Sequence, residues 1–166
     1  MRTFTAALLA VLCGAAGCGG DSRLVAARTA HVRFGYPKGW QRQAGGAFTA
    51  VRVENGRTVA RLTVLERPVA ATTAALAVAA LQAGRLIGRD YRRGPVQTVH
   101  VAHADSASRL SYSYLSDDRP RRPTEGTDVV AVRNRAVYVV RVTAVRGELP
   151  AADVDAIVKS VALKGD

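Results

Sequence analysis

Apolar and polar residues alternate along three stretches of the chain, and this pattern predicts three β-hairpins. The first hairpin spans residues 49–64 and turns at Asn55-Gly56. That pair is the strongest two-residue hairpin signal, because both residues tolerate positive φ. Pairing across the turn sets these residues opposite one another: Val53 and Thr58, Val51 and Ala60, and Thr49 and Leu62. One face of this hairpin is therefore expected to be apolar or small throughout.

The second and third hairpins follow later in the chain. The second spans about Pro95–Leu115 and turns near Asp105-Ser106, which pairs Val99 with Tyr112 and Val101 with Leu110. The third runs from Val129 to Thr143 and turns near Asn134. Its strands are apolar on both faces, so we expect them to be central strands that are covered on both sides.

Two helices are predicted between and after the hairpins. The first is capped by Thr72 or Thr73 and extends to between Gln82 and Ile87, with Gly88 as its C-terminal stop. Its buried face is predicted at four helically spaced positions: Leu76, Ala80, Ala83 and Ile87.

The second helix begins at Pro150, a residue well suited to a first helical turn. Asp153 lies in that turn, where a carboxylate complements the helix dipole. Its apolar face consists of Val154, Ile157, Val158 and Val161, and a short final strand over 161–163 is expected to follow. With a first strand at Val32–Tyr36, the elements show no β-α-β alternation. The expected class is therefore α+β, an antiparallel sheet flanked by helices.

The N-terminal segment has the form of an export signal. Arg2 precedes a short apolar run that ends in small residues, and this run is too short to span a bilayer as a permanent helix. Ala15-Ala16-Gly17-Cys18 resembles the lipobox of bacterial lipoproteins, although Ala15 stands where leucine is usual. The resemblance implies that Cys18 carries a diacylglycerol and becomes the first mature residue. Cleavage after Ala16, which would give a soluble secreted protein, is the alternative.

These features divide the chain into three parts. We predict a signal peptide at residues 1–17, a flexible tether at 18–30 after the lipidated cysteine, and a single domain at 31–166. Cys13 falls in the signal peptide, so the mature chain has Cys18 alone and no internal disulfide. Two acyl chains are enough for stable anchoring, which places the domain on the extracytoplasmic face of the cell membrane.

The charge is strongly basic. The whole chain has a formal charge of +11, and the mature chain keeps 23 basic against 13 acidic side chains, or +10. Such a charge favours anionic surfaces, and export argues against nucleic acid as the partner. The densest cluster, Arg119, Arg121 and Arg122, lies in a segment typical of a surface loop and is the best local candidate for an anion contact. The alternative is that the arginines reflect the overall composition of the chain rather than a binding site, and lie wherever solvent allows.

No pattern in the sequence points to catalysis, a metal or a cofactor. His100 and His103 are three residues apart on a predicted strand, so their side chains fall on opposite faces. A zinc site needs three or four converging ligands, and His31 is the only other histidine. The sequence has neither a Gly-x-Ser-x-Gly elbow nor a phosphate-binding loop. We therefore expect no catalytic residues, no metal and no cofactor.

Two segments resemble the PsbP/Mog-like superfamily. His31–Trp40 is similar to its opening strand, where an apolar strand runs into Tyr-Pro and then Gly-Trp, and Ala152–Val161 is similar to its closing amphipathic helix. With the lipobox, the chain resembles actinobacterial lipoproteins of the LpqN type. The resemblance implies an α/β/α sandwich around an antiparallel sheet and a non-enzymatic role. From the residues themselves, Tyr36-Pro37 and Trp40 are expected to serve packing.

The predicted function is that of a membrane-anchored extracytoplasmic lipoprotein, a non-catalytic binding or accessory module of the cell envelope. Its expected partners are the membrane, through Cys18, and a protein or anionic envelope component. Two alternatives stay open: an envelope hydrolase with an unrecognised site, and an electrostatic binder of anionic lipid or wall polymer.

Overall fold

The computed structural model describes residues 23–85 and 90–165, which form two antiparallel sheets and two helices. The strands are β1 Leu24–Arg28, β2 Val32–Pro37, β3 Gln41–Gln43, β4 Thr49–Glu54, β5 Arg57–Ala70, β6 Arg92–Thr98, β7 Ser106–Leu115, β8 Pro123–Arg133, β9 Ala136–Val145 and β10 Ala162–Leu163. The helices are α1 Ala74–Ala83 and α2 Ala151–Ser160.

The large sheet has seven strands in the order β3-β4-β5-β9-β8-β7-β6. Every neighbouring pair in it is antiparallel, which confirms the α+β class. The third hairpin is confirmed as β8 and β9, with Val132 opposite Val137. These strands lie at the centre of the sheet and are buried on both faces, as their two-sided apolar pattern predicts.

The small sheet has the order β1-β2-β10. The predicted first strand is confirmed as β2, and the predicted final strand as β10, which pairs with it. Residues 24–28, predicted to belong to a flexible tether, instead form β1 and pair with β2 from Leu24–Pro37 to Arg28–Arg33. This prediction was wrong because the segment is short and weakly apolar, and only pairing with β2 makes it a strand.

The first hairpin has the predicted turn but a different register. Asn55 and Gly56 both have positive φ, and Val53 lies opposite Thr58. A bulge then follows, in which Val59 is the extra residue, so Arg52 pairs with Ala60. Beyond the bulge the predicted pairs are wrong by one residue, and the pairs formed are Val51 with Arg61, Ala50 with Leu62, and Thr49 with Thr63. The shift places Ala50 rather than Thr49 opposite the buried Leu62. Ala50 and Val51 are both buried, whereas Val53 is exposed.

The second hairpin is confirmed as β6 and β7, but its register also differs. Val96 pairs with Leu110 and Thr98 with Ser108, so the predicted pairing of Val99 and Val101 was wrong. Residues 99–105 form the connection instead of a tight turn at Asp105-Ser106. Val101 belongs to that connection and is buried in the core. Its apolar side chain therefore fitted the alternating pattern of a strand although the residue is not in one.

The first helix begins as predicted and buries a different face. Thr73 caps α1, and its side chain accepts a hydrogen bond from the Leu76 amide. The helix ends at Ala83, within the predicted range, with Gly84 at its C-cap, and the predicted stop Gly88 lies outside the described residues. Leu76 is 57 % exposed, and the residues facing the sheet are Ala74, Ala77, Val78 and Gln82. A helix built largely of alanine has no apolar stripe from which to read its buried face.

Helix α2 is confirmed in position. Pro150 precedes its first residue, Asp153 lies in the first turn, and Ile157 is fully buried. It packs with the small sheet on one face of the large sheet, around Phe34, Trp40 and Phe48. Trp40 and Tyr36 pack in this core, as predicted. Helix α1 covers part of the opposite face, so the large sheet lies between two apolar layers.

Candidate functional site

An arginine-lined cavity of about 600 Å³ opens where β5 begins and the loop between β7 and β8 turns back. We call it the Arg122 cavity. Two of its four arginines come from that loop and two from β5: Arg119, Arg122, Arg57 and Arg61. Asp117 and Asp118 also line it, so its cations outnumber its carboxylates.

Arg122 is held in place by hydrogen bonds on both its backbone and its side chain. Its amide donates to Ser116 Oγ at 3.0 Å, and its carbonyl accepts from the Ser116 amide at 3.0 Å. Its guanidinium donates to the Thr58 carbonyl at 3.0 Å and lies 3.6 Å from Asp118 Oδ2. The side chain thus joins the β7–β8 loop to β5, while Arg57, Arg61 and Arg119 stay exposed.

The structure brings together two of the three arginines that the sequence singled out. Arg119 and Arg122 line the cavity, whereas Arg121 is exposed and does not. Arg57 and Arg61 were missed as members of this site. The sequence places both on the first hairpin, but nothing in it indicates that this hairpin meets the loop at residues 117–122. Anion binding by these side chains stays a prediction.

A second arginine-lined groove, of about 400 Å³, lies between the ends of β6–β9 and the first turn of α2. We call it the Arg109 groove. Its polar lining includes four arginines: Arg92, Arg93, Arg109 and Arg146. Its apolar lining comes from β9 and from the start of α2 and includes Val142, Ala144, Leu149 and Val154. A groove lined by both arginines and apolar side chains suits an amphiphilic anion.

Two of the groove arginines are paired with carboxylates. Arg109 Nη1 lies 2.7 Å from Asp155 Oδ1 on α2, and Arg146 Nε lies 2.9 Å from Glu125 Oε1. The Nε of Arg109 is buried and has no hydrogen-bond partner within the ranges that the structure describes. A buried donor without a partner costs about 1–3 kcal/mol.

A buried polar cluster lies on the α1 side of the large sheet. Asp128 is fully buried, and Arg141 donates to both of its oxygens at 3.1 Å. Arg85 Nη2 donates to Oδ2 at 2.9 Å, and the Tyr112 hydroxyl donates to Oδ1 at 3.0 Å. Burial raises the pKa of Asp128 to about 6, and the Arg85 charge and the Tyr112 hydroxyl hold it below what burial alone would give.

Tyrosine rings surround this cluster. Tyr112 lies between Tyr91 and Tyr114, with ring centroids 5.8 and 6.1 Å apart, and the Arg85 guanidinium lies 4.4 Å from the Tyr112 centroid. Burial raises the pKa of the Tyr112 hydroxyl. Tyr112 itself is buried. The sequence signal for the cluster was available: Asp128 directly precedes Val129-Val130, and Arg141 stands between Val140 and Val142.

The histidines are placed apart. His31 Nδ1 lies 2.9 Å from Glu66 Oε2, whereas His100 and His103 are exposed in the connection between β6 and β7 rather than on the predicted strand. Across residues 23–85 and 90–165, no three His, Cys, Asp or Glu side chains converge as a metal site would require. Cys18, the predicted lipidation site, lies outside the described residues.

The arrangement of sheets and helices defines an α+β protein with a PsbP-like fold. No family model matches the sequence, and no curated protein does. Among solved structures, the chain is similar to LpqN of Mycobacterium tuberculosis, which is involved in cell envelope biogenesis. The TM-score is 0.56 at 11 % identity, over 81 % of this chain and 83 % of LpqN.

Two further solved structures share the fold. The solution structure of cyanobacterial PsbP from Synechocystis has a TM-score of 0.55 at 13 % identity, over 92 % of this chain and 99 % of that protein. A Bacteroides thetaiotaomicron protein has a TM-score of 0.52 at 8 % identity over 81 % of this chain. The chain spans 46 % of that protein's length. Within the described ranges, neither helix has the length and apolarity needed to cross a membrane.

Proposed function

We propose that this protein is an extracytoplasmic accessory module of the cell envelope that binds an anionic partner and is held to the membrane by lipid on Cys18. The signal-like N-terminus and the lipobox-like segment support the compartment. The fold shared with LpqN, a protein of envelope biogenesis, supports the accessory role.

The Arg122 cavity is the observation that carries the binding function. Four arginines from two segments of the chain line one cavity, and two aspartates balance them only in part. Arg122 is held by hydrogen bonds, whereas Arg57, Arg61 and Arg119 are exposed. Exposed arginines offer planar donors to carboxylates or phosphates, so the cavity suits an acidic ligand surface.

Crosslinking in intact cells tests this function at the level of residues. We expect the mature protein to capture an envelope component, and the double variant R57A/R61A to lose most of that capture. The pair R28A/R33A is the matched control, because it removes the same charge from two exposed arginines that face each other across β1 and β2. Equal capture by both double variants would contradict a role for the cavity.

Two further measurements test the anchor and the non-catalytic role. The C18S variant should move from the membrane fraction to the soluble fraction, and mass spectrometry should show acylation of Cys18 in the native protein. An unmodified N-terminus would overturn the anchor. Robust turnover of esterase, phosphatase or glycosidase substrates, abolished by one substitution, would instead favour the hydrolase.

A further inference from the structure

The described chain begins beside the Arg109 groove. Arg23 Nη1 lies 3.6 Å from Asp153 Oδ1, in the first turn of α2, and the Arg23 carbonyl accepts from the Lys38 amide at 3.0 Å. Ala151 and Val154 of that same helical turn line the groove. Arg23, the first described residue, therefore contacts the helical turn that lines the groove.

The covalent link from this point to the predicted anchor is short. Cys18 and Arg23 are five residues apart, and five residues span at most about 18 Å when fully extended. A lipid on Cys18 therefore holds Arg23, and the helical turn that lines the groove, near the headgroups of the bilayer. This step rests on the proposed anchor.

The charge of the groove is only partly neutralised. Asp155 and Glu125 pair with Arg109 and Arg146. Arg92 and Arg93, both exposed on β6, have no carboxylate partner within the described part of the chain. An anion near these two side chains would lie in the same groove as Arg109.

The apolar side of the groove distinguishes a lipid from a free phosphate. Val142, Leu149 and Val154 line it together with the arginines. A free phosphate has no group that would cover these side chains. A phospholipid has a glycerol backbone and acyl carbons directly beside its phosphate, and burying those carbons is favourable.

We propose that the Arg109 groove binds an anionic phospholipid of the membrane that carries the anchor. Arg92, Arg93 and Arg109 contact its phosphate, and the apolar side contacts its glycerol and first acyl carbons. The domain then rests on the bilayer by this end of the sheet, with the lipid on Cys18 and the bound headgroup as two separate attachments.

The test uses the full mature chain carrying Cys18→Ser, so that vesicle binding does not depend on acylation. Co-sedimentation is measured with vesicles of phosphatidylglycerol and phosphatidylcholine and with vesicles of phosphatidylcholine alone. We expect binding only to the anionic vesicles. Each basic residue near such a surface contributes about a fivefold change in partitioning, so R92A/R93A should bind about thirtyfold more weakly. The matched R28A/R33A variant should keep most of the binding.

Two other outcomes of the vesicle experiment would overturn the proposal. An equal loss in R92A/R93A and R28A/R33A would show attraction by net charge alone and would overturn the groove. Complete displacement by inorganic phosphate or glycerol phosphate at low concentration would overturn the lipid as ligand. Failure of the anchor appears separately, as an unacylated native N-terminus, and leaves the vesicle result standing.

Discussion

At the scale of single residues, Gly126 provides the space that the buried Tyr112 ring occupies. The two residues face each other across β7 and β8. A Cβ added at Gly126 would lie 2.2 Å from Tyr112 Cζ. The ring cannot move aside easily, because it is buried and stacks on Arg85, and because its hydroxyl donates a hydrogen bond to Asp128. The missing side chain thus allows the polar cluster to form inside the sheet.

Gly126→Ala should therefore destabilise the protein by about 1–3 kcal/mol, the usual cost of forcing an extra methyl into a packed core. Urea unfolding measures the change. Gly84→Ala is the matched control, because Gly84 has ordinary helical φ and an added Cβ there would meet no atom within 4 Å. That control should be neutral or slightly stabilising. An unchanged midpoint for Gly126→Ala would show that the ring has room to shift.

At the scale of elements, two hairpins use the same kind of turn with different sequences. Asn55-Gly56 and Asn134-Arg135 both have positive φ at both residues. Positive φ is free for glycine but costs roughly 1 kcal/mol for a residue with a Cβ. The central hairpin β8–β9 therefore forms with a turn that its own sequence disfavours, because its buried strands supply the stability.

We expect Arg135→Gly to stabilise the protein by up to about 1 kcal/mol and Gly56→Arg to destabilise it by a similar amount. Thermal or urea unfolding of the two variants measures both changes. One variant replaces arginine by glycine and the other replaces glycine by arginine at a residue with positive φ, so each serves as the control for the other. A loss of stability in Arg135→Gly would mean that the arginine side chain contributes more than its backbone strain costs.

The hairpins also show which features of the fold the sequence alone could predict. Alternation and turn residues are local, so they located all three predicted hairpins. Register depends on tertiary packing, so the bulge at Val59 and the buried Val101 in a connection were both missed. The same holds for the Arg122 cavity. Arg119 and Arg122 are close in sequence and could be predicted together, whereas Arg57 lies beside them only because of the order of the strands in the sheet.

At the scale of the whole molecule, two carboxyl groups help to attach the outer layers to the large sheet. Asp128 pairs with Arg85, which follows the C-cap of α1. Glu66, on β5, accepts hydrogen bonds from Thr29 and His31 in the connection between β1 and β2. Burial would raise the pKa of Glu66, but the hydrogen bonds from Thr29 and His31 outweigh it and lower that pKa.

The two groups respond to pH with opposite signs. The pKa of Asp128 is about 6 in the folded protein against 3.8 as its ordinary value, so its contribution to stability is present below about pH 4 and is lost as pH rises through 6. The pKa of Glu66 is lowered below 4.5, so its contribution is present above that pH and is lost as the pH falls through the folded value. Of these two carboxyl groups, Asp128 is the one whose own titration falls between pH 7 and 5.

The free energy of unfolding contributed by Asp128 should therefore rise by about 1 kcal/mol from pH 7 to pH 5, since one pKa unit corresponds to about 1.4 kcal/mol. Urea unfolding of the wild type and of Asp128→Asn at both pH values measures it. The variant is expected to be less stable at both pH values, because an amide nitrogen replaces one of the two oxygens that accept hydrogen bonds from Arg85, Arg141 and Tyr112, so the pH-dependent difference is the relevant quantity. Asp117→Asn, at an exposed carboxyl, should leave that difference as in the wild type. If the wild type and Asp128→Asn change in parallel between pH 7 and 5, then Arg85 and Arg141 keep Asp128 ionised and α1 is attached by a permanent ion pair.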